Sequence, residues 1–323
     1  MGGAGRGWGG VLTMAAACAL AVTAVLVPIT PGGGDARAVA AGPPGPLAHA
    51  RSALAQDDDC AASPSPASGT TDGAAVERIK ARGRLLVGVD QNSYLWGYRD
   101  PSTGVLAGFD IDIVKAIARD ILGDASKVQY LTVPTDQRIQ AIKQRKVDLV
   151  VRTMTINCAR AGQVAFSVPY FTAGQQILAP KDSPVTGFDD SLKGRTVCTA
   201  DTSTGQATLE HDRHGAHVMT VPNQLDCLVR LQLGQADAVF TDNALAAGQA
   251  AQDPAVRLVG HPVTSEPYGV AVNLDDQDLV RRVNEVLARY ESGGAGSEWM
   301  RSYDTWLAKD LPGITGPPPP VYR

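Results

Sequence analysis

Apolar residues follow two different periods along this chain, and each change of period marks a new element. Residues 84–89 form a short apolar run that ends at Asp90, which predicts a strand. From 109 to 122 the spacing changes. Ile111, Val114, Ile117 and Ile121 recur on one helical face, and Gly123 ends the run. A strand at 128–133, a helix at 136–145 and a strand at 147–151 follow, so the order is βαβαβ. A further strand is predicted at 175–179, before Pro180 and Pro184. The order then repeats. Strands at 195–199, 217–221, 236–240 and 256–259 alternate with helices at 202–212, 224–233 and 243–252. A strand at 268–273 and helices at 276–289 and 297–309 close the folded part. Helices between successive strands predict parallel sheet in an α/β fold. Two units of similar size predict two lobes that face each other across a cleft.

The first 75 residues follow neither period. Arg6 is the only charge ahead of an apolar run from Val11 to Val27 that Pro28 closes, the pattern of an export signal. Ala38-Val39-Ala40 offers small residues for cleavage. The run is also close to the roughly 17–25 residues of a membrane span, so an uncut anchor is the alternative. Cys18 is a poor lipidation site because the apolar run continues past it. Residues 1–40 are thus expected to be an export signal or anchor. Residues 41–75, rich in Pro, Gly, Ala and Ser, are expected to be a flexible spacer. The first lobe is expected at 76–180, the second at 181–265, and a return to the first lobe with closing helices at 266–312. The tail 313–323 carries four consecutive prolines and is expected to end without order. The protein is placed outside the cytoplasmic membrane, secreted or anchored at its N-terminus.

Composition narrows the chemistry. The chain has 323 residues, 44% hydrophobic and 19% charged, with a net charge of −4, so nothing suggests nucleic acid or an anionic membrane surface as a partner. Against that acidic background, the arginines around one loop stand out. Residues 148–160 read Asp-Leu-Val-Val-Arg-Thr-Met-Thr-Ile-Asn-Cys-Ala-Arg. A strand ends, and Thr153 and Thr155 offer hydroxyls between Arg152 and Arg160. An arginine fork suits a carboxylate. The carboxyl end of a strand is where α/β folds place ligands. The loop therefore predicts a site for a small anion. Asp90, at the end of the first strand, is a further candidate for the cleft.

Outside the export segment the cysteines are Cys60, Cys158, Cys198 and Cys227, which allow three pairings or free buried thiols. Cys198 and Cys227 lie in the second unit and are paired on that ground, leaving Cys60 with Cys158. No C-x-x-C pair exists. His211, His214 and His217 are separated by Gly215 and lack further ligands, so no metal is expected.

Gly108-Phe109-Asp110-Ile111-Asp112, Val147-Asp148-Leu149-Val150, Thr155-Ile156-Asn157-Cys158-Ala159-Arg160 and Phe166-Ser167-Val168-Pro169-Tyr170 occur in that order. With these motifs the chain, from about residue 83 to 309, resembles the family 3 polar-amino-acid solute-binding proteins of ABC importers. It looks nearest to actinobacterial glutamate/aspartate-binding members, which share the four mature cysteines and the Pro-rich ends. The resemblance implies a two-lobed type II periplasmic-binding-protein fold of the α/β class. Two crossing strands would join the lobes, here at 177–181 and 266–272. It implies that Thr155 and Arg160 hold the ligand α-carboxylate and that Asp242 receives the α-ammonium from the other lobe. Thr202 and Ser203 would add donors from a helix N-terminus, and Arg138 would meet a side-chain carboxylate. Asn157 and Asp201 stand where members commonly carry Thr and Gly, and Leu95-Trp96 where many carry Pro-Phe. Whether Tyr94, Trp96 or neither covers the ligand is left open.

A free amino acid carries an anion and a cation about one bond apart, and burying either unpaired costs several kcal/mol. On the implied assignment Arg160 and Asp242 answer both from opposite lobes, so the ligand favours closure. Arg138 with Arg152 would neutralise a second carboxylate, which predicts L-glutamate or L-aspartate. Glutamine or asparagine is the alternative. No histidine lies in the candidate binding segments and no acid/base pair stands beside Arg160, so no enzyme and no cofactor is expected. The partners expected are a small amino acid and an importer permease, with the protein acting as a monomer. A sensor that docks on a membrane signalling protein is the alternative class.

Overall fold

Two five-stranded sheets flanked by helices build the two lobes. The computed structural model describes residues 65–322; the expected export segment, most of the expected spacer and Cys60 lie outside the described residues. Helix α1 (Ala74–Arg82) ends at Gly83 and leads into β1 (Leu85–Val89). A small flap of β2 (Asn92–Ser93), β3 (Gly97–Arg99) and β4 (Leu106–Ala107) precedes α2 (Phe109–Leu122). Next come β5 (Val128–Thr132), α3 (Arg138–Lys143), β6 (Leu149–Val150), the short α4 (Cys158–Ala161) and β7 (Ala165–Phe166). The chain leaves through β8 (Phe171–Ala173) and enters the second lobe as β9 (Gln175–Pro180). There β10 (Thr196–Ala200), α5 (Thr204–His211), β11 (His217–Val221), α6 (Gln224–Gln232), β12 (Ala238–Asp242), α7 (Asn243–Gln252) and β13 (Val256–Val259) follow. The return runs through β14 (Glu266–Tyr268) and β15 (Ala271–Val272) to α8 (Gln277–Glu291) and α9 (Glu298–Trp306).

Both sheets share one plan. Their orders are β5-β1-β6-β15-β7 and β11-β10-β12-β9-β13. β1 is parallel to β5 and β6, and β10 to β11 and β12, because helical crossovers return each strand in the same direction. β15 and β9 run antiparallel to their neighbours. Each is the strand that brings the chain in from the other lobe, so it enters from the opposite end.

Three expectations need correction. Residues 177–181 are not a crossing. Ile177, Leu178 and Ala179 are fully buried inside β9, which lies in the second sheet between β12 and β13. The first crossing is β8, which pairs antiparallel with β14 (Ala173 with Glu266, Phe171 with Tyr268), and the second lobe begins at β9 rather than at 181. The spacer does not reach residue 75. Ser65 Oγ donates to Phe166 O (2.9 Å), Asn284 Nδ2 donates to Pro66 O (2.7 Å), and α1 has already started. Finally, the Pro-rich tail returns to the body, where Ser65 N donates to Val321 O at 3.1 Å.

Aromatic residues fill the junction between the lobes. Trp96, Phe109, Phe171, Tyr268 and Trp299 are fully or nearly fully buried, and Trp96 meets Phe109, Phe171 and Tyr268 edge to face. In the second lobe a disulfide joins Cys198 of β10 to Cys227 of α6, as expected. Cys158 is also disulfide-bonded; its expected partner lies outside the described residues.

Candidate ligand-binding cleft

The carboxyl ends of β5 and β6 face those of β10 and β12 across a narrow cleft. From the first lobe Arg138, Arg152, Thr153, Thr155 and Arg160 line it, and from the second Ser203 and Asp242. The structure thus brings seven of the sequence-predicted residues together. Two others stand apart. Asp90 lies behind Arg152, and Thr202 lines an outer groove that opens beside Arg138 and Arg160.

Arg160 sits on α4, whose N-terminus Asn157 caps by accepting from Arg160 N. The residue is 7% exposed, and its guanidinium donates to Thr155 O (2.9 Å) and Thr202 O (3.2 Å). Arg152 is already neutralised. Asp90 Oδ2 lies 2.8 Å from its Nη2, and Nη1 donates to Thr135 Oγ1 at 3.1 Å. Asp90 in turn accepts from Gln91 N, Asn92 N and the Ser93 hydroxyl, so it ties the first strand's turn to the loop. Arg138 differs. Its Nε donates to Thr135 O (3.0 Å), and among the described residues no carboxylate pairs with it. Burial first, then Arg160 and Arg152, push its pKa well below the ordinary value. Arginine keeps its proton in proteins, so this marks a buried cation that its surroundings compensate poorly.

Backbone strain shapes the loops. Thr153 and Thr202 adopt left-handed φ of 41° and 56°, uncommon for β-branched residues. Asp110 holds the first of these: its Oδ2 accepts from Thr153 N (3.0 Å) and its Oδ1 from the Tyr170 hydroxyl (2.8 Å). Asp110 stands in the first turn of α2, where a carboxylate is ordinarily a solvated helix-start charge. It is instead buried, and burial raises its pKa to about 7.

On the facing lobe, Ser203 caps α5 by accepting from Gln206 N, and its hydroxyl lies 3.2 Å from Thr199 Oγ1. Asp242 ends β12. Tyr268 donates its hydroxyl to Asp242 Oδ2 (2.5 Å), and Gln175 Nε2 donates to Oδ1. Burial, with Glu266 adding, raises the Asp242 pKa to about 7, while the Tyr268 hydroxyl, Arg160 and Arg138 act against the rise.

Sequence reasoning missed Thr135, Gln175 and Gln224. Gln175 and Gln224 are 2% and 4% exposed, and Gln175 Oε1 and Gln224 Nε2 have no hydrogen-bond partner among the described residues. Neutral amides at element starts carry no periodic or charge signal, so only the fold reveals them. Neither Tyr94 nor Trp96 lines the cleft. Trp96 is a latch: its Nε1 donates to Ala244 O (3.0 Å) in the second lobe. With Arg160 on Thr202 O and Thr135 N on Pro222 O (3.3 Å), the lobes are in contact around the site, which is a closed form.

A two-lobed closed cleft with this strand order has known counterparts. Residues 85–309 match the bacterial extracellular solute-binding proteins, family 3. The chain belongs to that family. It is 36% identical over 232 residues to the glutamine-binding protein of an ABC transporter in Bacillus subtilis (strain 168), covering 72% of this chain and 84% of the relative. The glutamate/aspartate import solute-binding protein of Escherichia coli (strain K12) is 27% identical over 278 residues, 82% of this chain and 88% of the relative. A mutant of ArgBP from T. maritima superposes with a TM-score of 0.67 at 32% identity, covering 73% of this chain and all of that one. The family member is thus a type II periplasmic-binding-protein fold and a solute-binding protein of the amino-acid ABC-transporter kind. Identity is higher to the glutamine binder than to the glutamate/aspartate binder, so the comparisons do not single out the acidic ligand. No helix among the described residues is long and apolar enough to cross a membrane.

Proposed function

We propose that the protein captures an acidic amino acid, L-glutamate or L-aspartate, between its lobes and delivers it to the permease of an ABC importer. The observation that carries this is Arg138, a buried cation facing the cleft with no carboxylate partner among the described residues. The α-carboxylate goes to Arg160 with Thr153 and Thr155, and the α-ammonium to Asp242. Asp90 already neutralises Arg152. Among the residues that line the cleft, Arg138 then remains for the second carboxylate. A neutral side-chain amide would leave that guanidinium buried and unpaired, at a cost of several kcal/mol.

A second reading has its own support. The relatives named for glutamine are more identical to this chain, and the free amide atoms of Gln175 and Gln224 suit a side-chain amide. Calorimetric titration of the full chain with L-glutamate, L-aspartate, L-glutamine and L-arginine separates the two. Micromolar affinity corresponds to about 8 kcal/mol. Arg160→Ala is expected to abolish binding of every amino acid. Arg138→Ala is expected to weaken L-glutamate by about 10- to 150-fold, since charged hydrogen bonds contribute roughly 1.5–3 kcal/mol, and to tighten L-glutamine, whose neutral amide no longer leaves a buried guanidinium unpaired. Tight L-glutamine binding by the parent protein that ignores Arg138 would refute the acidic ligand and keep the amide.

A further inference from the structure

We propose that Tyr268 is a positioning residue for the ligand ammonium, fixing the Asp242 carboxylate of one lobe to the carboxylate-binding loop of the other. The proposal rests on the amino-acid reading above. Tyr268 ends the second crossing strand, and its two halves serve different lobes. Its backbone belongs to the first lobe's loop: Tyr268 bridges Thr155, Ile156 N donates to Pro267 O (2.8 Å) and Gly269 N donates to Met154 O (3.0 Å). Its hydroxyl reaches Asp242 Oδ2 at 2.5 Å. One residue therefore connects the strand that pairs with Thr155, beside Arg160, to the carboxylate that meets the ammonium.

The ring has no freedom to do anything else. Tyr268 is fully buried, stacked on Phe171 with centroids 6.0 Å apart and edge-on to Trp96 at 5.6 Å. A buried phenol needs an acceptor, and Asp242 is the one it finds. Gln175 Nε2 holds the other oxygen, so the carboxylate plane is set from both sides. Each oxygen keeps a further lone pair for the ligand.

The charge state follows from the same contacts. Asp242 faces Glu266, which disfavours its ionised form, and Tyr268, Arg160 and Arg138, which favour it. An ammonium needs the ionised form. Removing the Tyr268 hydroxyl would free the carboxylate to turn and would also favour its protonation.

The test is Tyr268→Phe in the full chain, titrated with the tightest-binding amino acid from about pH 5.5 to 9. Affinity is expected to fall roughly tenfold near neutral pH. The acid limb of the Kd profile should move to higher pH, and the deficit should narrow on the alkaline side. In an Asp242→Asn background the same substitution should change Kd by less than about twofold. If that background binds too weakly to measure, the pH profile decides alone. An equal loss at every pH, or no loss, with thermal stability unchanged, would overturn the positioning role. Failure of the parent protein to bind any amino acid would overturn the functional reading instead.

Discussion

Gly248 lies in α7 where its backbone comes close to the first-lobe flap in the closed form. A methyl group on its Cα would stand 2.5 Å from Tyr94 O, a backbone atom of the first-lobe flap. The flap cannot easily yield, because Trp96, two residues on, is fully buried and donates to Ala244 O. Gly248→Ala therefore has two effects of opposite sign. Within a helix, alanine is better than glycine by roughly 0.5–1 kcal/mol, and this gain applies whether the lobes are open or closed. The overlap with Tyr94 arises only on closure, and overpacking of this kind costs roughly 1–3 kcal/mol. Ligand binding is coupled to closure, so Kd should rise about 5- to 150-fold at 1.4 kcal/mol per decade. Calorimetry on the variant gives the affinity, and urea unfolding of the ligand-free protein gives the stability. The expected result is weaker binding with unchanged or higher ligand-free stability. Unaltered Kd, or loss of ligand-free stability matching the loss of affinity, would refute the argument that this contact belongs to the closed form alone.

Two further predictions concern stability. Asp110 has a folded pKa of about 7, raised by burial above the ordinary carboxylate value near 4. The native state therefore holds its proton more tightly than the unfolded chain does. Its contribution to stability is fully present below about pH 4 and is lost as pH rises toward 7, by up to about 4 kcal/mol. Asp110→Asn keeps an acceptor for Thr153 N and removes that slope, so urea unfolding should show the variant gaining on the parent between pH 4 and 7; a pH-independent difference would count against buried ionisation. Separately, the Cys198–Cys227 bridge closes a loop with a sequence separation of 29, for which chain entropy predicts about 3–4 kcal/mol. The double substitution Cys198→Ala and Cys227→Ala should lower unfolding free energy by that amount, and a loss under about 1 kcal/mol would show that the bridge is not a stability element.

The alternation of apolar periods was enough to read two α/β units of similar size, because burying one face of a strand or helix leaves its spacing in the chain. The positions of β1, α2, β10 and β12 were legible for that reason. The arginine- and threonine-bearing loop of the cleft was legible too, since Arg152, Thr153, Thr155 and Arg160 sit within one short segment at the end of a strand. The sheet plan was not. The strand at 175–179 was legible as an element, but that it lies inside the second sheet while β8, which the spacing did not reveal, makes the crossing depends on pairing with β14, a partner about ninety residues away along the chain. Charge pairing was equally invisible. Arg138 and Arg152 look alike in sequence, yet the fold places Asp90 on Arg152 and leaves Arg138 without a carboxylate among the described residues. Gln175, Gln224 and Tyr268 join the site or its support only because segments far apart in sequence end at the same cleft. Local spacing therefore determined the elements and the loop that carries Arg152, Thr153, Thr155 and Arg160. Which groups neutralise one another, and so which ligand charge the cleft calls for, was decided by tertiary contacts between residues that share no local pattern.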